Sequence, residues 1–286
     1  MSTSKPPAYR LALGQRPQHD AAFAALETAF KRSGGGAAGA LGSFVHHVRQ
    51  AMPAINMSLQ ACIRFLREGE WLNVYEKIER DLGANRGPNY DRAVRLALKN
   101  FFPSRQRLEK LLRLGRDTHY SALNLGGLGP DYGDWCVRLD CGLTMDVATA
   151  FAGDPLRLAF DKKGNQVVPD NEVLERFATY RDRGAVAAIH NRHYLEGRTD
   201  VAEGDLRAHL EQRANHIEIH IHGTVSSHHA IEIRVDKAKY GELVRRTYEY
   251  ESASTTQRRA LVFESVPDFK ELMSLAGSKR IPVIPV

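Results

Sequence analysis

The chain has 286 residues, of which 43% are hydrophobic and 26% charged, with 3 cysteines and a formal net charge of +6. That length allows one large domain or two small ones whose core needs no staple, and the composition excludes collagen-like, coiled-coil and wholly disordered chains. No run approaches the roughly 18 apolar residues of a membrane span, the N-terminus lacks the apolar stretch of a Sec signal peptide, and Cys62, Cys136 and Cys141 form no CxxC pair. These features predict a soluble protein of a reducing compartment, with no disulfide framework and no structural zinc site. The charge is unevenly placed: residues 1–116 hold 19 Lys and Arg against 9 Asp and Glu, whereas residues 117–286 hold 21 against 25. The positive balance is therefore an N-terminal property and does not point to nucleic acid.

Residues 1–18 are polar, contain three prolines and show no apolar periodicity, so they read as a flexible leader, either a translocation signal or a frayed end. From Asp20 a helix places Ala22, Phe23, Leu26 and Phe30 on one face, and GGGAAGALG then reads as a linker. Between Ser43 and Arg116 the pattern is helical throughout, with Tyr90, Val94, Leu98 and Phe101 on one side of a helix and Ser104 as the N-cap of the next. The region 19–116 is thus predicted to be all-helical, its basic residues lying on outer faces that are either merely solvated or turned to an acidic partner.

After Arg116 short extended runs alternate with glycine-rich turns. THYSALNL and WCVRLDCGL read as strands, TMDVATAFAGDP as a turn and short helix, and LRLAF as a strand closed by the turn DKKGN. NEVLERFATYRDRG and EGDLRAHLEQRA read as helices, and NHIEIHIHG, AIEIRVD and RRALVFES as strands. A helical first part followed by a strand-rich part spanning 117–286 describes an α+β fold.

The run His216–His222 alternates strictly. Ile217, Ile219 and Ile221 share the face that must be core, so His216, Glu218, His220 and His222 line the other. Four titratable groups on one pleat suggest the wall of a cleft as readily as a hydrated surface, and Glu218 is suited to accept a hydrogen bond from a sugar hydroxyl and to stabilise positive charge beside it. The His220/His222 pair also invites a zinc site, with a third ligand from His190, His193, Asp200, His228 or His229, as in a zinc hydrolase. The segment RDTHYSALN gathers Asp117, His119, Tyr120, Ser121 and Asn124, which could set a polar group against a ribose and a ring against a heterocycle. Asp154 lies in a Gly-Asp turn, where aspartates usually bond their own backbone. No P-loop, GxGxxG or GxSxG motif is present, and a non-enzymatic basic binding module remains the alternative to an enzyme.

The ordered set YSALN, YGDWCVRLD, ATAFAGD and HIEIHIHG resembles the ADP-ribosyltransferase family that includes type III effectors modifying a threonine of host ubiquitin. The resemblance covers roughly residues 117–236. It implies an ADP-ribosyltransferase-like catalytic core, NAD as co-substrate, ubiquitin as protein substrate, a monomer, and delivery by a type III system into a host cytosol where ubiquitination is blocked. It implies further that Glu218 is the catalytic glutamate, paired with an aspartate that is Asp154 or Asp117, and that Asp117, His119, Tyr120, Asn124 and Asp154 join Glu218 in holding NAD. The chain departs from the family pattern at Ser121, where the relatives have glycine, and at Pro155, where they have serine. His216 occupies the position of the first residue of the Glu-x-Glu or Gln-x-Glu motif, which argues against an arginine acceptor.

Overall fold

In a computed structural model the described residues are 5–34, 36–83, 87–129, 133–140, 142, 148–212, 214–254 and 265–286. The chain begins with α1 (Pro7–Ser33) and α2 (Ala37–Gln50), enters β1 (Met52–Met57), and continues through α3 (Leu59–Glu68), β2 (Glu70–Trp71), α4 (Val74–Leu82), α5 (Gly87–Leu98) and α6 (Phe102–Leu112). Next come β3 (Thr118–Asn124), β4 (Trp135–Leu139), β5 (Ala148–Ala152), α7 (Pro155–Ala159), α8 (Asp170–Leu174) and β6 (Phe177–Thr179). Helices α9 (Arg183–His190), α10 (Arg192–Leu195) and α11 (Glu203–Leu210) lead to β7 (Ile217–His222), β8 (Val225–Ser226) and β9 (Ala230–Val235). The chain closes with α12 (Lys237–Ser252), α13 (Ser265–Ser278) and β10 (Val283–Pro285). Among the described residues no helix is long and apolar enough to cross a membrane.

Eight strands form one sheet in the order β10-β9-β4-β1-β3-β7-β5-β6, antiparallel except for β10 against β9. The α+β class stands, but the first part is not all-helical. β1 lies inside the sheet between β3 and β4, so residues on both sides of position 116 share one body of strands. Pro53 hides this strand in the sequence, because proline removes a ladder donor. It is tolerated because β4 pairs with β1 only from Ala54 onward.

The two faces of the sheet differ. Ile217, Ile219 and Ile221 join Ala148, Ala150, Leu123, Ile55 and Val137 in a core completed by Phe44 and Val48 of α2, Ile63 and Leu66 of α3, Ala187 of α9 and Leu272 of α13. On the other face Phe151 and Phe177 pack under Ala8 and Ala12 of α1, Leu108 and Leu112 of α6, and Ala159, Phe160 and Val173. That second layer is why the histidine-bearing face of β7 is not hydrated: His220 is 0% exposed.

Several local expectations are corrected by packing. The supposed leader is helical from Pro7, since a proline at N1 lacks only an N–H that would go unused, and Ala8, Tyr9 and Ala12 are buried. The supposed linker forms the start of α2. Its small residues serve close approach, and a Cβ on Gly39 would stand 2.9 Å from the Thr199 carbonyl oxygen. Lys99 adopts φ 50° and interrupts the helical register, so Phe101 turns outward and Phe102 is buried in its place. Ser104 therefore lies inside α6 rather than capping it. Residues 148–152 are strand, LRLAF is mostly helix, and the segment after α8 contains the short strand β6. The predicted strand RRALVFES falls largely outside the described residues. Cys62 and Cys136 are buried free thiols, and Cys141 also lies outside the described residues.

Candidate functional site

Glu218 occupies the second position of β7, opposite Ala122 of β3 on one side and Phe151 of β5 on the other. Its side chain is 17% exposed, and Oε1 lies 2.7 Å from His220 Nε2. Alternation places Glu218, His220 and His222 on one pleat, and the strands on either side supply what these groups bond. Thr149 Oγ1 of β5 lies 3.3 Å from His220 Nδ1 and 3.2 Å from His222 Nε2, and Thr118 Oγ1 of β3 lies 3.2 Å from His222 Nδ1. Burial, with lesser help from the neighbouring His220 and His119, pushes the His222 pKa down to about 3, so this ring is neutral.

Asp154 reaches Glu218 through a turn. Gly153 has φ 115°, a conformation that glycine adopts without penalty, and its N–H donates to the His216 carbonyl at 3.0 Å. The chain thus swings from the end of β5 across the start of β7. Asp154 then caps α7, Oδ1 accepting from the N–H groups of Leu156 and Arg157 at 3.0 and 3.1 Å, while Oδ2 lies 3.3 Å from Arg157 Nε. Burial first, and the charge of Glu218 second, raise the Asp154 pKa against the opposing pull of the Arg157 N–H, His216 and Arg157. The turn aspartate is therefore structural as a cap and is also the carboxylate that feels Glu218. Pro155 takes N1 of α7, and the Ser121 hydroxyl donates to the Ile219 carbonyl at 3.1 Å, so both departures from the family pattern have structural uses.

The remaining expected residues divide. Tyr120 lies opposite His220 with ring centroids 5.2 Å apart, but Arg105 of α6 stacks over it at 3.6 Å and its hydroxyl donates to Glu109 Oε1 at 2.9 Å. One ring face is already covered. Burial, reinforced by Glu109 and Glu218, raises the Tyr120 pKa well above its ordinary value. His119 points to the opposite, isoleucine-bearing face, 0% exposed, 3.4 Å from Glu76 Oε2, with burial lowering its pKa to about 4 against the pull of Asp117. Asp117 sits at the far end of β7, where its carbonyl accepts from Gly223 N–H at 3.2 Å. Five residue steps of strand, about 17 Å, separate it from the Glu218 position. Asn124 is spent on its own loop, donating to the Gly127 carbonyl at 2.9 Å and accepting from Gly126 N–H at 2.8 Å. Of the two candidate aspartates, only Asp154 is brought to Glu218.

The same geometry disfavours zinc on these histidines, since both nitrogens of His220 and of His222 already face hydrogen-bonding partners. The proposed third ligands are scattered: His190 bonds the Glu175 carbonyl, His193 pairs with Glu196, Asp200 accepts from Ser43, and His229 accepts from Ser226 N–H. Among the described residues no group of three or more His, Cys, Asp or Glu is placed to hold a metal ion.

Arg105, Glu109 and Thr149 were not anticipated. Arg105 stands at i, i+3 and i+7 with Leu108 and Leu112, so a cation on the apolar stripe of α6 was the available signal. Burial works against its charge, yet Tyr120 and Glu109 outweigh it and hold the Arg105 pKa above its ordinary value. The chain matches no protein-family model, and no curated protein matches it in sequence.

Proposed function

We propose that the protein is a mono-ADP-ribosyltransferase, similar to CteC, that transfers ADP-ribose from NAD to a threonine of ubiquitin in a host cytosol. The observation that carries this reading is Glu218, a partly exposed carboxylate at the end of an otherwise buried polar row, whose charge helps to raise the Asp154 pKa. It adds to the resemblance of the four ordered segments.

Breaking the bond between nicotinamide and ribose builds positive charge on the sugar, and a fixed anion beside that charge lowers the barrier. Glu218 has Oε1 engaged by His220, while Oε2 bonds no described residue and is available to a ribose hydroxyl. A threonine hydroxyl is a weak nucleophile and needs its proton drawn off during attack. Asp154, whose pKa is raised by burial and by Glu218, would take that proton on Oδ2, the oxygen outside the helix cap, which lies 3.3 Å from Arg157 Nε. A folded substrate such as ubiquitin requires an interface near standard size, for which the helical layer over β5 and β6 offers surface.

The test is incubation with labelled NAD and ubiquitin, followed by mass spectrometry of the product. Label on a threonine of ubiquitin, lost in Glu218→Ala while the circular dichroism melt stays within a few degrees, is the expected result. Full transfer by the variant, or no labelled ubiquitin with the native chain, would overturn the assignment.

A further inference from the structure

Glu218 ends a row of hydrogen-bonding groups that crosses three strands: Thr118, His222, Thr149, His220, Glu218. His220 and Thr149 are fully buried and His222 and Thr118 nearly so, so water does not interrupt the row. Its donors and acceptors can be counted. A neutral His222 has one N–H to share between two threonine hydroxyls. If Nε2 carries it, Thr149 accepts there and turns its own proton to His220 Nδ1, which leaves the His220 proton on Nε2, facing Glu218. If Nδ1 carries it, Thr149 must donate to His222 and accept from His220 Nδ1–H. His220 would then face the carboxylate without a proton on Nε2 unless the Glu218–His220 pair took up a second one. With an ionised Glu218 and neutral rings, one polarity satisfies every group.

We propose that His220 is a positioning residue for Glu218, locked in its Nε2–H tautomer by the one-way chain Thr118, His222, Thr149, His220. The chain holds Oε1 and leaves Oε2 directed at the ligand. This rests on the reading of Glu218 as the carboxylate that stabilises the ribose. A rigid donor pays off in orientation: a carboxylate free to rotate about its last bonds would have to be ordered again at each turnover, which lowers the rate of the step more than the affinity for NAD.

Two measurements test it. Nitrogen-15 NMR of histidine-labelled native protein at pH 7 should show His220 and His222 as neutral rings protonated on Nε2. Either ring protonated on Nδ1, or on both nitrogens, would overturn the chain whether or not the protein turns over NAD. In kinetics, His220→Phe keeps a ring against Tyr120 and Phe177 but removes the donor, and should lower kcat roughly 100-fold with KM for NAD within about twofold. His220→Gln, which restores an N–H near the Nε2 position, should recover most of that loss. Thr149→Val should lower kcat about 10-fold and Thr149→Ser should restore it. Unchanged kcat in both His220→Phe and Thr149→Val, or losses that follow only the folded fraction, would refute the positioning role. Absence of NAD turnover by the native chain would instead strike the transferase reading, and the tautomer measurement would still decide the chain.

Discussion

Two carboxylates stand on the same face of the same sheet and are treated in opposite ways. Register places Glu218, Ala122, Ala54, Arg138 and Glu232 in one cross-strand row over β7, β3, β1, β4 and β9. At one end Glu232 Oε1 receives Arg138 at 2.6 Å and also Arg234, and these hold its pKa below the usual range although burial pulls the other way. At the other end Glu218 has no cation in contact among the described residues, only His220 on one oxygen. A carboxylate clamped by two guanidiniums has no remaining need for a ligand, whereas one held from a single side keeps an acceptor to offer. Similar exposure, 16% and 17%, therefore conceals different roles.

The largest effect that separates the two ends is on turnover. On the proposed transferase reading, Glu218→Gln should lower the kcat of ADP-ribose transfer by about 1,000-fold, measured with labelled NAD, because one oriented charge would be lost beside the ribose. Glu232→Gln should leave activity per folded molecule within about threefold and instead cost about 3 kcal/mol in urea unfolding, since two partly buried guanidiniums lose their counter-charge. Equal effects on both quantities in both variants would erase the distinction.

Acid should act on the whole polar interior. His119 and His190 have pKa values lowered to about 4 and His222 to about 3, from an ordinary 6.5, chiefly by burial. The unfolded chain therefore binds more protons than the folded one between about pH 6.5 and pH 3, and stability falls as pH drops through that window. Each ring contributes up to about 1.4 kcal/mol per pH unit there, so the melting temperature should drop by about 10 °C or more between pH 7 and pH 5. Asp154 opposes this slightly, because a raised carboxyl pKa favours the folded state as it protonates. The smallest effect belongs to Tyr120→Phe, which removes one hydrogen bond to Glu109 and keeps the ring under Arg105. About 1 kcal/mol of stability and less than threefold in kcat are expected.

How much of this was legible in the sequence follows from which interactions are local. The alternation of β7 fixed its faces and singled out Glu218, because a period of two is written in consecutive residues. The same rule sets His119 and Tyr120 on opposite faces of β3, so the two cannot line one site. Asp154 was visible as a turn aspartate, but its approach to Glu218 depends on β5 pairing with β7, a relation between positions 65 to 73 apart in the chain. β1 was lost because Pro53 argues against a strand, and only the late start of pairing with β4 makes it acceptable. Thr118 and Thr149 are ordinary strand residues until register sets both beside the histidines.

The position of β1 bears on how the protein can be divided. A fragment beginning near residue 117 would hold every residue proposed for chemistry, yet it would lack the strand that joins β3 to β4. Two open edges would face each other across the missing strand, each with a row of unpaired amides, and such edges recruit other chains. The strand-rich part expressed alone should accumulate as aggregate.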